Sequence, residues 1–348
     1  MSNETIFLLS FIVFIFFILA LDLGLLHKKS ERISLKQAAL MSFFGVCLAI
    51  GFYFILINYG HLLHGIDSIE KLKIVVDKHH HPVKIIPNDF EDSVALYNNN
   101  LGLEYLTGYI VEYALSVDNI FVIVLIFTAF GVAQRNYHRV LFWGILGAIL
   151  MRFIFIFVGA ALIAKFNWIM YVFGGFLVFT GLKMFWSRND EEEIDSQNHP
   201  VVKFANKYFK VHNQFVGNKF FVTINGIKKL TPLFIVLIII EFTDLIFAVD
   251  SIPAIFSVTK DPYIVYFSNI FAIIGLRSMF FLLAGIIDKF RFLKIGLSAL
   301  LTFIGVKMLL HGYLDKIGFT TTHSLIIIVG ILGLSIFSSL LFPVKKVD

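Results

Sequence analysis

The chain has 348 residues, of which 58% are hydrophobic and only 15% charged, and it carries a net charge of +5. A soluble globular domain has about a quarter of its residues charged. Here the apolar excess is also gathered into long runs, which excludes an ordinary soluble domain and points to a polytopic membrane protein. The basic residues lie in loops between those runs, so they read as an orientation signal and not as a nucleic-acid surface. The single cysteine, Cys47, excludes a disulfide framework and a Cys-based metal site.

Nine runs are long enough to cross roughly 30 Å of hydrocarbon at about 1.5 Å per residue. They fall near 5–26, 34–58, 105–130, 138–164, 166–187, 231–258, 263–288, 291–313 and 323–343. The first lacks a basic n-region and a small-x-small cleavage site, so it reads as a retained helix. Residues 59–104 read as an external loop bearing His79-His80-His81 and Asn98-Asn99-Asn100. Solvated loop histidines are the commoner reading of that triplet, metal capture the rarer one. Residues 188–230 read as a cytoplasmic linker opening on the acidic run Asp190 to Glu193, and 314–348 as a last helix and tail. With the N-terminus outside, eighteen Lys and Arg fall on inside loops and seven on outside loops, with four in spans. That split predicts an N-out, C-in arrangement.

Within this frame the sequence repeats itself. Glu112-Tyr-Ala-Leu-Ser-Val-Asp118-Asn119-Ile matches Asp244-Leu-Ile-Phe-Ala-Val-Asp250-Ser251-Ile. Arg152 then matches Arg277, and Gly-Leu-Lys183-Met matches Gly-Val-Lys307-Met. Each repeat, 105–187 and 231–313, holds three spans, and the linker between them does not cross. An odd number of crossings makes the second repeat enter from the opposite face. The fold expected is therefore an all-α polytopic membrane protein of about nine transmembrane helices with two inverted three-helix repeats. Transporters built this way hold their substrate at the bilayer midplane, on broken helices between the repeats.

An acid at mid-membrane costs about 2.5 kcal/mol or more. This chain has Glu112 and Asp118 in its third span and Glu241, Asp244 and Asp250 in its sixth, with Asp22 near the inner end of the first. Arg152 and Arg277 would compensate at most two of the five mid-span acids, which leaves the others for a cation or a proton. Asp244 and Asp250 are six residues apart, about 120° out of phase, so a break near Val249-Asp250, assisted by Pro253, is expected to turn Asp250 inward. Carboxylates with Asn119 and Ser251 make a hard, all-oxygen ligand set suited to Mn²⁺, Mg²⁺ or Ca²⁺. Neither a catalytic site nor a resident cofactor is expected.

Ala20-Leu-Asp22-Leu-Gly-Leu-Leu-His27-Lys, Leu115-Ser-Val-Asp118-Asn119 and Glu241-Phe-Thr-Asp244-Leu-Ile-Phe-Ala-Val-Asp250-Ser251-Ile-Pro253-Ala-Ile together resemble the TerC/Alx family of integral membrane proteins. The resemblance runs from the first span to the eighth, and residues 59–104 are longer than expected for the family. It implies a bacterial inner-membrane location and membership of a wider group of exporters with inverted repeats, among which Mn²⁺ efflux is implicated. Asp22, Glu112, Asp118, Asn119, Glu241, Asp244, Asp250 and Ser251 then become the expected ion-path residues. The reading this supports is a secondary transporter exporting Mn²⁺, coupled to H⁺ or Na⁺. Its alternative is a non-transporting membrane scaffold for stress or tellurite resistance, or for metal loading of exported proteins, using linker 188–229 as its partner surface.

Overall fold

The structure is a computed structural model describing residues 2–26, 35–166, 168–186, 211–212, 214–224, 226–283, 292–316 and 318–342. Within its helices, the side chains of residues 22–26, 117, 118, 121, 129, 250, 283, 293, 294 and 315 are outside the description. The acidic run Asp190 to Glu193 also lies outside the described residues.

The order is α1 (Asn3–Leu26), α2 (Leu35–Tyr59), α3 (Ile69–His79), α4 (Phe90–Ala129), α5 (Tyr137–Lys165) and α6 (Ile169–Trp186). A hairpin of β1 (Phe221–Ile224) and β2 (Ile227–Leu230) follows, then α7 (Pro232–Phe256), α8 (Pro262–Leu283), α9 (Leu293–Leu309), α10 (His311–Lys316) and α11 (Thr321–Leu341). All nine expected spans coincide with helical segments. Seven helices are long and apolar enough to cross a membrane among the described residues: α1, α2, α5, α6, α7, α8 and α11. Helix α9 has only 17 residues, and α4 has 40.

Helix α4 explains the main departure from the sequence reading. At about 1.5 Å per residue its 40 residues extend roughly 60 Å, twice the hydrocarbon thickness. Residues 59–104 are therefore not a loop: they hold a short 3₁₀ turn, α3 and the first turns of α4. Local capping starts both helices, since the Ser68 hydroxyl accepts from the Lys71 amide at 3.3 Å and the Asp89 carboxylate from the Asp92 amide at 3.0 Å. His80 ends α3 in the left-handed region at φ 54°, and the chain turns back over α4. The linker is likewise partly folded: the β-hairpin abuts the start of α7, with Phe221 and Phe234 ring centroids 4.7 Å apart.

Helix α8 is the central element. In its apolar stretch 89% of residues are buried, against 17–33% in the other six spans. A helix apolar all round belongs inside a bundle, whereas the others keep an apolar face towards lipid. Phe267 and Phe271 on α8 pack with Phe11, Phe52 and Tyr105 from α1, α2 and α4.

The matched helices of the two sequence repeats cross antiparallel. On α5 and α8, His138 meets Phe281 while Phe157 meets Tyr263. On α6 and α9, Gly174 faces Gly305 while Gly181 faces Ser298 and Thr302. Glu104, early in α4, hydrogen-bonds Thr259 just beyond α7, and Phe127 late in α4 shares a cluster with Leu233 early in α7.

The α6/α9 contact depends on glycine. A β-carbon on Gly305 would stand 2.7 Å from the Gly174 carbonyl oxygen and the Val178 amide nitrogen, closer than atoms pack, and both are backbone atoms that cannot swing aside. Small residues let helix backbones approach in this way inside a bilayer. Gly305→Val should cost about 1–3 kcal/mol by overpacking, read as a lowered unfolding midpoint in detergent. Gly175→Ala, whose added β-carbon meets nothing within 4 Å, should leave that midpoint unchanged.

Candidate functional site

The buried charge of the bundle converges on Arg152, in the middle of α5 and fully shielded from solvent. Its guanidinium grips Asp244 on α7 in a fork, Nη2 donating to Oδ1 at 2.9 Å and Nε to Oδ2 at 3.3 Å. Nη1 donates to Glu112 on α4 and, at 2.9 Å, to the Asn269 Oδ1 on α8. The Asn269 Nδ2 closes the ring by donating to Glu112 Oε2 at 3.0 Å. Four helices, contributed by both sequence repeats, thus meet through one cation. The planar fork of arginine suits this bidentate, multi-partner role where lysine would not.

One guanidinium against two carboxylates leaves a formal excess of negative charge, and Glu241 adds another acid one helical turn from Asp244. The Glu241 carboxylate lies where a β-carbon on Gly147 would have to go, so glycine at that position of α5 makes room for it. Beside the network is a narrow cavity of about 30 Å³, lined by Asn119, Thr243, Asp244, Gly144, Ala148 and Arg277. That is room for a water or a dehydrated ion.

The structure therefore brings together Glu112, Asp244, Arg152, Arg277, Asn119 and Glu241 of the residues expected from sequence. Ser251 is buried, and its Oγ has no hydrogen-bond partner among the described residues, but it sits seven residues beyond Asp244, about 10 Å along α7. The side chains of Asp22, Asp118 and Asp250 lie outside the described residues. The expected break at Val249-Asp250 is corrected: α7 stays helical to Phe256, with Pro253 in its last turn. There the missing amide removes a hydrogen bond near the helix end, where opening the ladder costs least. Asn269 was missed, and its only trace in the sequence is an amide inside an apolar span.

The solvated reading of the His triplet is also corrected, for two of its three members. His79 and His81 are buried, and His80 alone is exposed. His81 Nδ1 lies 2.9 Å from Glu104 Oε1, and His64 lies 2.8 Å from Glu4 and 2.9 Å from Asp261. Burial pushes His79 down to about 4. Burial opposes ionisation of Asp261 too, but the charges of and hydrogen bonding to His64, with His79 and His81 adding to them, outweigh it and hold the carboxyl well below its usual range.

Comparison with known proteins agrees with this architecture. Residues 97–346 match the model of the integral membrane protein TerC family. The chain belongs to the TerC family. An uncharacterized membrane protein of Myxococcus xanthus is 42% identical to it, covering 95% of this chain and 91% of its own. One of Rickettsia bellii is 41% identical over 96% of this chain and 97% of its own. Alx of Escherichia coli K12, named a candidate membrane-bound redox modulator, is 50% identical over 60% of this chain and 64% of its own. No solved structure matches the chain. The TerC match takes in the whole Arg152 network, whereas His64, His79 and His81 precede it.

Removing Arg152 from this TerC family protein would leave the buried Glu112 and the largely buried Asp244 without their shared cation. Breaking such a pair from one side costs about 3–5 kcal/mol. Arg152→Met should lower the unfolding midpoint in detergent accordingly. Adding Glu112→Gln and Asp244→Asn in the same chain should recover more than half of the loss, a coupling that a double-mutant cycle would measure.

Proposed function

We propose that this protein is a secondary transporter that exports Mn²⁺, or a similarly hard divalent cation, from the cytoplasm in exchange for H⁺ or Na⁺. The reading takes the two three-helix repeats as inverted copies, completing a nine-helix protein with its N-terminus outside and its C-terminus inside a bacterial inner membrane. The observation that carries it is the Arg152 network: an acid-rich, largely buried centre shared by both repeats and bordered by an ion-sized cavity. Ionisable groups at such depth are costly and mark ion pathways. The antiparallel crossing of α4 with α7, α5 with α8 and α6 with α9 is what inversion of one repeat onto the other requires. The basic-residue asymmetry of the loops supports the orientation.

In this mechanism Arg152 serves as a stand-in cation. With no ion bound its single positive charge is shared between Glu112 and Asp244, which leaves one negative charge in excess. An arriving Mn²⁺ competes for Asp244, with Glu241 on the same face of α7 and the Asn119 amide oxygen across the cavity as further hard ligands. Asp118, Asp250 and Ser251 continue the path, and Asp22 lies near its cytoplasmic end. The guanidinium, released from Asp244, keeps Glu112 and Asn269, so the network rearranges without leaving a buried carboxylate unpaired. A redox role, as the name of Alx describes for that protein, finds less support, because Cys47 is the sole cysteine and forms no dithiol within this sequence.

Expression in cells lacking manganese efflux should lower cellular manganese several-fold at millimolar external Mn²⁺, measured by elemental analysis. Asp244→Asn, Asp118→Asn and Asp250→Asn should each leave manganese at the level of the empty vector. Unchanged manganese with the unsubstituted protein would overturn the reading of the cargo, and active variants would overturn the assignment of the site.

A further inference from the structure

At the end of the bundle away from the β-hairpin, the turn before α3, the end of α3 and the start of α8 bring three potential ligands together. The facing atoms of His64, His79 and Asp261 all lie within 4.8 Å of one another. His81 adds a fourth, its Nε2 4.0 Å from Asp261 Oδ2. Two features separate this cluster from an ordinary buried ion-pair network. First, the Nε2 atoms of His79 and His81 have no hydrogen-bond partner among the described residues, although each residue is only 5% exposed. Buried polar atoms are nearly always satisfied, and orphans ask for an explanation. Second, the opposite ring nitrogens of His81 and His64 are already oriented. Glu104 holds His81 Nδ1 at 2.9 Å and is itself fixed by the Thr259 hydroxyl at 2.6 Å and the Asn100 amide at 2.7 Å. Glu4 holds His64 Nδ1 at 2.8 Å. A carboxylate on the far nitrogen is the support that metal-binding histidines ordinarily have.

We propose that His64, His79 and Asp261, with His81 as a fourth ligand, form a binding site for a first-row transition-metal dication of the Zn²⁺ and Co²⁺ class. Ligands at about 2.0–2.1 Å from a tetrahedral centre stand roughly 3.4 Å apart, so a small inward turn of the imidazoles closes the site. Imidazole nitrogen selects this class over Mg²⁺ and Ca²⁺, and the affinity order favours Zn²⁺ over Mn²⁺. The ligand chemistry thus differs from the all-oxygen centre around Arg152, and nothing here depends on transport. Asp261, just before α8, and Asn269 on it are eight residues apart, as are Glu104 and Glu112 on α4, so about 12 Å separates the two centres. Glu4, 26% exposed with Lys78 at 3.8 Å, marks the approach from solvent.

The full chain, purified in detergent and stripped with chelator, should bind Zn²⁺ at this site by isothermal titration, and a hundredfold excess of Mg²⁺ or Ca²⁺ should not displace it. His79→Ala and His64→Ala should each weaken that binding at least tenfold. His80→Asn, at the exposed neighbour, and Asp244→Asn, in the central network, should retain it. Loss of transport in Asp244→Asn together with intact Zn²⁺ binding would keep the two proposals apart. X-ray absorption on the Zn²⁺-loaded unsubstituted protein needs no variant to fold, and it should show at least two imidazole ligands. An all-oxygen shell, or undiminished affinity in His79→Ala, would overturn the site.

Discussion

A guanidinium with no contact to solvent reaches from α5 to carboxylates on α4 and α7 and to an amide on α8, and the packing of the bundle centre is arranged around it. In hydrocarbon none of these charges survives alone. Each helix is therefore held in a rotation and a depth that presents its polar side chain to Arg152. The glycine and alanine positions on α5 follow from the same constraint. Gly147 accommodates Glu241, while Gly144 and Ala148 keep open the cavity beside Asp244. Replacing the network by apolar groups of equal volume would hold the helices together as well or better. That a costly charged network stands there instead is why a functional reading is preferred to a structural one.

A second polar centre stands about two helical turns away, at the start of α8 and earlier in α4. Helices α4 and α8 run in the same direction between them, so Glu104 and Asp261 mark one level and Glu112 and Asn269 the next. The two levels differ in chemistry. The central one has only oxygen acceptors around its cation, whereas the outer one presents imidazole nitrogens, those of His64 and His81 with oriented far sides. Their ligand types alone separate hard from borderline cations.

Much of this was legible in sequence. Hydropathy located helical segments at all nine expected positions, and the internal repeat matched Glu112 with Asp244 and Arg152 with Arg277 before any contact was known. What the sequence could not show were pairings between helices far apart in the chain. Arg152 was counted as the neutraliser of one acid, yet guanidinium geometry lets it take two. Asn269 carries no motif, and its role exists only through Glu112 and Arg152. The stretch 59–104 was misread because its polar composition is that of a loop, while tertiary cover from α4 and α8 buries His79 and His81. The break in α7 was expected from Pro253, but so near the helix end a proline has little ladder left to disrupt.

The central claim is that this acid-rich network passes a divalent cation across the bilayer, and flux through the purified protein tests it most directly. In proteoliposomes with a trapped Mn²⁺-quenched dye and an imposed pH or Na⁺ gradient, the account predicts saturable Mn²⁺ movement that Asp244→Asn abolishes. Movement no faster than in protein-free liposomes, under both gradients, would contradict it.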